Sequence, residues 1–227
     1  MKLVFLNTMN GGVDKPLRAF LAEKTNDTDI FCFQEAYETM RHLASETLTG
    51  YRSLYKHKFV STNDDFHQLV YCQRNLDLVE TGTIFGDKAG VGLGLYLHVK
   101  TSNGDLYVCN YHGMSRPIDK LDTQKRIMAS RGLIDFFKDK DHVVIGGDFN
   151  LFPQNESIKL FAENGYRDLI NEFDIKNTRN RLIWEKYPNN PRQYYSDYTF
   201  TKGVAVKSFS APNIEISDHL PLILELA

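Results

Sequence analysis

Four apolar runs in this sequence end on polar residues able to do chemistry. They are Leu3-Val4-Phe5-Leu6-Asn7, Ile30-Phe31-Cys32-Phe33-Gln34-Glu35, Leu106-Tyr107-Val108-Cys109-Asn110-Tyr111-His112 and Val143-Val144-Ile145-Gly146-Gly147-Asp148-Phe149-Asn150. A strand sends alternate side chains to opposite faces. Asn7 is therefore expected to share a face with Leu3 and Phe5, Glu35 with Phe31 and Phe33, His112 with Leu106 and Val108, and Asp148 and Asn150 with Val144. If the four strands are neighbours, an amide, two carboxylates and an imidazole meet at one crevice, where layered α/β folds usually bind ligands. With the late Asp197 and Asp218, these groups offer a metal oxygen donors, beside His112 and His219. Hard oxygen donors select Mg²⁺, Mn²⁺ or Ca²⁺. A Mg²⁺ that keeps its waters is the usual partner of a phosphate, which points to phosphate-ester hydrolysis. Asp218 and His219 are adjacent and would face apart on a regular strand, so both reach one site only from the turn before it, as Ser217 and Pro221 suggest. An imidazole held there by Asp197 would keep one tautomer and a stabilised cationic form.

The elements that must position these groups follow from periodicity. Asp14 and Pro16 open a helix whose Leu17, Phe20 and Leu21 share a face, and it ends near Asn26-Asp27, before the Ile30 strand. A second helix is expected over Glu38 to Leu48. Strands are expected over Tyr51 to Val60, Phe66 to Arg74, Leu78 to Phe85, Val91 to Lys100 and Leu106 to His112, with Asn103-Gly104 a hairpin turn. A helix over Ile118 to Lys138 precedes the Val143 strand, and another covers Glu156 to Asn164. After an irregular tract, strands near Tyr195 to Thr201, Val204 to Ser210 and Leu220 to Leu226 close the chain, Pro221 fitting only at the start of the last. The strand-rich middle lacks the helices an all-parallel sheet needs, so two sheets packed face to face with helices outside are expected.

The chain has 227 residues, 42% of them hydrophobic and 25% charged, as suits one sheet-rich domain over 1–227. It carries no 18-residue apolar stretch and no cleavage-site pattern after Met1-Lys2, so a cytoplasmic protein without a membrane segment, and a monomer, is expected. Cys32, Cys72 and Cys109 lie in apolar runs without paired spacing and are expected to be core thiols.

Six motifs stand in order along the chain: Asn7 after an apolar strand, Gln34-Glu35, His112 closing a strand, Gly146-Gly147-Asp148-Phe149-Asn150, Asp197-Tyr198-Thr199-Phe200, and Ser217-Asp218-His219-Leu220-Pro221. In this order and rough spacing the sequence resembles the endonuclease/exonuclease/phosphatase superfamily. The resemblance implies a four-layer α/β sandwich with two mixed β-sheets face to face. It implies Mg²⁺, or Mn²⁺, with Glu35 as principal ligand and Asn7 and Asp218 contributing to the metal or its waters. By similarity Asp148 acts on the attacking water, and Asn150 helps hold that water or the scissile phosphate. His219, oriented by Asp197, contacts the phosphoryl oxygen, while His112 stabilises the pentacovalent state or assists the leaving oxygen.

The formal net charge is −2, without the basic excess of proteins that grip long duplexes. Residues Ile175 to Lys207 nevertheless hold seven cations against two anions, interleaved with Trp184, Tyr187, Tyr194, Tyr195 and Tyr198. Aromatics among cations suit a single-stranded nucleic acid or a nucleotide, with Arg179, Arg181, Arg192, Tyr194 and Tyr195 as candidate substrate-binding residues. The chain lacks the Cys-Asp-Arg element usual in inositol polyphosphate 5-phosphatases, and has Tyr194-Tyr195-Ser196 where abasic-site endonucleases commonly have Trp-Arg-Leu. The expectation is a Mg²⁺-dependent phosphodiesterase acting on nucleic acid or a nucleotide-like ester. A phosphomonoesterase or phospholipid phosphodiesterase on the same machinery is one alternative, and a catalytically silent nucleic-acid-binding module another.

Overall fold

The structure is a computed structural model and describes residues 1–62 and 64–227. In chain order its elements are β1 (Lys2–Asn7), α1 (Asp14–Lys24), β2 (Ile30–Gln34), α2 (Glu38–Thr47), β3 (Tyr51–Ser61), β4 (Asp64–Gln73), β5 (Asp77–Ile84), β6 (Leu93–Thr101), β7 (Gly104–His112), α3 (Gln124–Phe136), β8 (Val143–Asp148), α4 (Glu156–Glu163), β9 (Arg167–Asp168), α5 (Leu169–Glu172), α6 (Arg181–Lys186), β10 (Asp197–Lys202), β11 (Val206–Ser210) and β12 (Leu222–Leu226). The strands form two six-stranded sheets, ordered β11-β12-β1-β2-β4-β3 and β5-β6-β7-β8-β10-β9. Each is mixed: β1 pairs parallel with β2, and β7 parallel with β8, amid antiparallel neighbours.

Alternation along the strands builds the layers. Leu3, Phe5, Ile30, Cys32, Val70 and Cys72 of the first sheet join the core shared with the second, together with Leu95, Leu97, Val108 and Val144. Val4, Leu6, Phe31 and Phe33, at the intervening positions, pack with Leu17, Phe20, Met40 and Leu43 of α1 and α2. Strands buried on both faces read as unbroken apolar runs, as these do. On the far side Ala129 and Leu133 of α3, with Ile158 and Phe161 of α4, cover the second sheet. This is the expected four-layer sandwich. All three cysteines are free and buried. Among the described residues no helix is long and apolar enough to cross a membrane.

The two sheets pack directly against each other where β1 meets β8. A Cβ on Gly146 would lie 2.8 Å from the Phe5 ring, and one on Gly147, at φ +133°, would lie 2.1 Å from the Tyr111 carbonyl oxygen. Only glycine admits both the contact and the dihedral. Two residues beyond Phe5 and Gly146, the chains end their strands on Asn7 and Asp148, already within hydrogen-bond reach.

Three expectations need correction. The helix expected from Ile118 starts at Gln124, because the Thr123 hydroxyl caps it by accepting from the Arg126 N–H at 3.2 Å, and Lys120 lies at φ +55°. Residues 113–123 are instead a loop leading from β7 past the strand ends. The irregular tract after α4 contains β9, α5 and the short α6. Glu35 does not continue β2 beside Phe31 and Phe33: the strand ends at Gln34 and Glu35 takes φ +52°.

Candidate active site

The reversal at Glu35 is what brings its carboxylate into play. On a regular strand it would face the α1–α2 layer with Phe31 and Phe33; the left-handed backbone turns it to the crevice, where the Asn7 amide donates to it at 3.0 Å. Gln34 holds the inter-sheet position instead, donating to Asn110, which in turn donates to the Phe33 carbonyl at 2.9 Å. Asn150 also leaves its strand at φ +55°, a conformation asparagine tolerates.

Asp148 is the hub. One carboxylate oxygen accepts from Asn7 at 3.0 Å; the other accepts from the Ser196 hydroxyl and from the Asn150 backbone N–H at 2.9 Å. The Nε2 atoms of His112 and His219 lie 3.7 and 3.8 Å from it. Burial pushes the Asp148 carboxyl up, but His219, His112, Lys120 and the Ser196 hydroxyl outweigh burial and hold it well below the usual carboxylate range.

Asp218 and His219 enter one site because they lie in a bend, before β12 begins. Their segment is pinned on both sides: the Leu220 N–H donates to the Thr178 carbonyl at 2.8 Å, and the Ser217 hydroxyl to the Asn7 carbonyl at 2.7 Å. His219 Nδ1 sits 2.9 Å from both oxygens of Asp197, and Arg179 Nη2 donates to Asp218 at 2.8 Å. Burial disfavours a charged His219, yet Asp197, Asp218 and Asp148 together raise its pKa above the ordinary imidazole value. The cation is thus favoured, with Nδ1–H donating to Asp197.

These groups stand at an open cavity of about 360 Å³. Glu35, Asp148, Asn150, Asp218 and His219 line it directly, while Asn7, His112 and Asp197 are buried behind them. The same cavity is lined by Arg116, Ile118, Lys120, Arg179, Trp184, Lys186 and Tyr187, of which Arg179 is bonded to Asp218 and Lys120 reaches Asp148 through Ser196. Of the residues expected to bind substrate, Arg179 alone reaches the cavity. Arg181 is held on the surface by Glu185 and Glu215, and Arg192 stacks over Trp184 at 5.1 Å. Tyr194 meets Trp184 edge-on at 5.3 Å, and the Tyr195 hydroxyl turns inward to the Ile175 carbonyl. Lys120 and Ser196 were not anticipated. Ser196 adjoins the Asp197 motif and could have been suspected; Lys120 was hidden in a stretch with helical spacing.

The donor set suits a hard divalent cation. Glu35 has no cationic partner among the described residues, and Asp218 and Asp148 line the same cavity. Asp148, Asp197 and His219 also present one ligand atom each within 4.8 Å of one another, although each is already hydrogen-bonded within the site.

The sequence matches the endonuclease/exonuclease/phosphatase family over residues 9–219, and the chain belongs to that family. No curated protein matches it. A family protein from Bacteroides thetaiotaomicron has the same fold, with TM-score 0.76 and 18% identity over 100% of this chain and 97% of its own. A mannosyl-6-phosphatase from Bacteroides thetaiotaomicron gives 0.71 and 18% over 100% and 99%. The human Nocturnin catalytic domain, with bound sulfate anion, gives 0.73 and 16% over 100% and 93%.

Proposed function

We propose that this protein is a Mg²⁺-dependent phosphodiesterase that hydrolyses nucleic acid or a nucleotide-like ester by in-line attack of water. The observation that carries the reading is the buried, ionised Asp148 at the cavity wall, fixed by Asn7, Ser196 and Asn150 and flanked by two imidazoles.

Asp148 accepts the proton of the attacking water as its oxygen bonds to phosphorus, and Asn150 holds that water or a phosphoryl oxygen. Protonated His219, kept in one tautomer by Asp197, donates from Nε2 to a phosphoryl oxygen on which negative charge grows. His112 faces the same carboxylate and is placed to assist the leaving oxygen as its bond to phosphorus breaks. Glu35, with Asn7 and Asp218 contributing directly or through water, would hold Mg²⁺ or Mn²⁺; when bound, that ion neutralises phosphate charge.

Trp184, Tyr187, Arg116 and Lys186, which line the same cavity, support a polymeric or nucleotide substrate, since bases stack on aromatics while cations hold phosphates. Likeness to a mannosyl-6-phosphatase favours the second reading, a phosphomonoesterase using the same groups. Incubating the protein with labelled single- and double-stranded oligonucleotides, dinucleotides and sugar phosphates, in Mg²⁺ and in chelator, separates the two. The first reading expects a chelator-sensitive oligonucleotide ladder, and release of inorganic phosphate from sugar phosphates alone would replace it with the second.

A further inference from the structure

Lys120 is a cation with too few partners for its burial. It is 3% exposed, yet among the described residues its ammonium donates only to the Ser196 hydroxyl, and no carboxylate lies within ion-pair distance. An ammonium has three donors, and a charge taken from water needs an opposite charge or several hydrogen bonds. Arg179, paired at Nη2 with Asp218, brings a second cation to the same lining. It lines the same cavity at 7% exposure, and its Nε–H is buried with no partner among the described residues. Burial, then the charge of Arg179, pushes the Lys120 pKa down to about 8, against the opposing pull of Asp148, Asp197 and Asp218.

The backbone is built to put Lys120 there. Its left-handed φ of +55° is unfavourable for lysine and persists only when the surroundings hold it. Two donors converge on its carbonyl oxygen, the Asn155 side-chain amide at 2.6 Å and the Phe152 N–H at 3.3 Å. Strain, two clamps and a buried charge all serve to deliver one ammonium to the cavity wall beside Asp148 and Asn150.

We infer that Lys120 is a substrate-contacting catalytic residue, holding a non-bridging oxygen of the substrate phosphate with Arg179 beside it. The inference rests on the phosphoester reading above and adds to it a residue outside the six motifs. A dianionic or monoanionic phosphate group supplies the missing acceptor and separates the two cations. The competing role is structural: Lys120 as counterion to Asp148 through Ser196, which also donates to Asp148.

The test is binding of inorganic phosphate in chelator, by calorimetry, to wild type, Lys120→Met, Lys120→Gln and Ser196→Ala, with thermal midpoints and circular dichroism alongside. Lys120→Met and Lys120→Gln should fold, keep or raise the midpoint, and weaken phosphate binding about tenfold or more, the scale of a lost charge-assisted hydrogen bond. Ser196→Ala should bind phosphate within about threefold of wild type, since one neutral hydroxyl is worth less. Unchanged phosphate affinity in both lysine variants, absence of phosphate binding by wild type, or an equal loss in Ser196→Ala would overturn the assignment. Oligonucleotide and sugar-phosphate hydrolysis by wild type, run in parallel, tests the phosphoester reading separately: no turnover there removes the reaction, while the phosphate titration still decides Lys120.

Discussion

The side-chain amide of Asn7, at the end of β1, donates to Asp148, at the end of β8, at 3.0 Å, and so ties the two sheets together at the candidate site. The same amide reaches Glu35 at 3.0 Å, linking three strand ends through one residue. Asn7→Ala leaves a buried carboxylate short of a donor and should cost about 1–3 kcal/mol of stability. Urea unfolding checks this; a midpoint equal to wild type would show that the bond contributes nothing.

Gly146 sets the spacing that makes that bond. A methyl group there meets the Phe5 ring at 2.8 Å, so Gly146→Ala should destabilise by about 1–3 kcal/mol, the usual cost of overpacking. Activity should fall with it, because spreading the sheets draws Asn7 from Asp148. Adding Phe5→Leu should recover part of both losses. A double variant no better than Gly146→Ala would place the strain elsewhere.

The pH profile follows from opposite shifts. Asp148 is held below the usual carboxylate range, so its ionised form persists on acidification past about pH 4, the ordinary value for such a group, and loss of this base should not itself set the acid limb. His219 is needed protonated, and its pKa is raised, so that requirement is met below its folded pKa and lost as pH rises through it. The plateau should therefore extend above about pH 6.5 before falling. Rates measured across pH for wild type and His219→Gln check this: the variant should be slow and lack that fall. An identical alkaline limb in both would assign it to another group.

Sequence was most informative where geometry is periodic. Asn7, His112 and Asp148 each close a regular strand, so counting by twos placed them on the correct face. Counting misplaced Glu35, since its position depends on a left-handed residue that no spacing announces. Lys120 was lost for a related reason: its loop has helical spacing, and a cap at Thr123 decided against a helix there. In the basic tract composition was legible but direction was not. Arg179 pairs with Asp218 inside, whereas Arg181 finds Glu185, four residues on in α6, and the remote Glu215, which sequence could not assign as a partner.

That difference yields a binding prediction. Arg116 and Lys186 line the cavity, so replacing each by Ala should lower the salt slope of single-strand binding by about one per charge removed. Arg181→Ala should leave the slope unchanged, its charge being neutralised by two carboxylates. Fluorescence titrations over a range of salt check both, and a larger effect from Arg181 than from Arg116 and Lys186 would relocate the polymer path.

The most direct test of the central claim is hydrolysis of a labelled single-stranded oligonucleotide in Mg²⁺ by wild type and by Asp148→Asn, with folding of both confirmed by circular dichroism. Removing the water-activating carboxylate should slow cleavage by about 10²–10⁴-fold, and chelator should stop the wild-type reaction. Cleavage by Asp148→Asn at the wild-type rate would contradict the account.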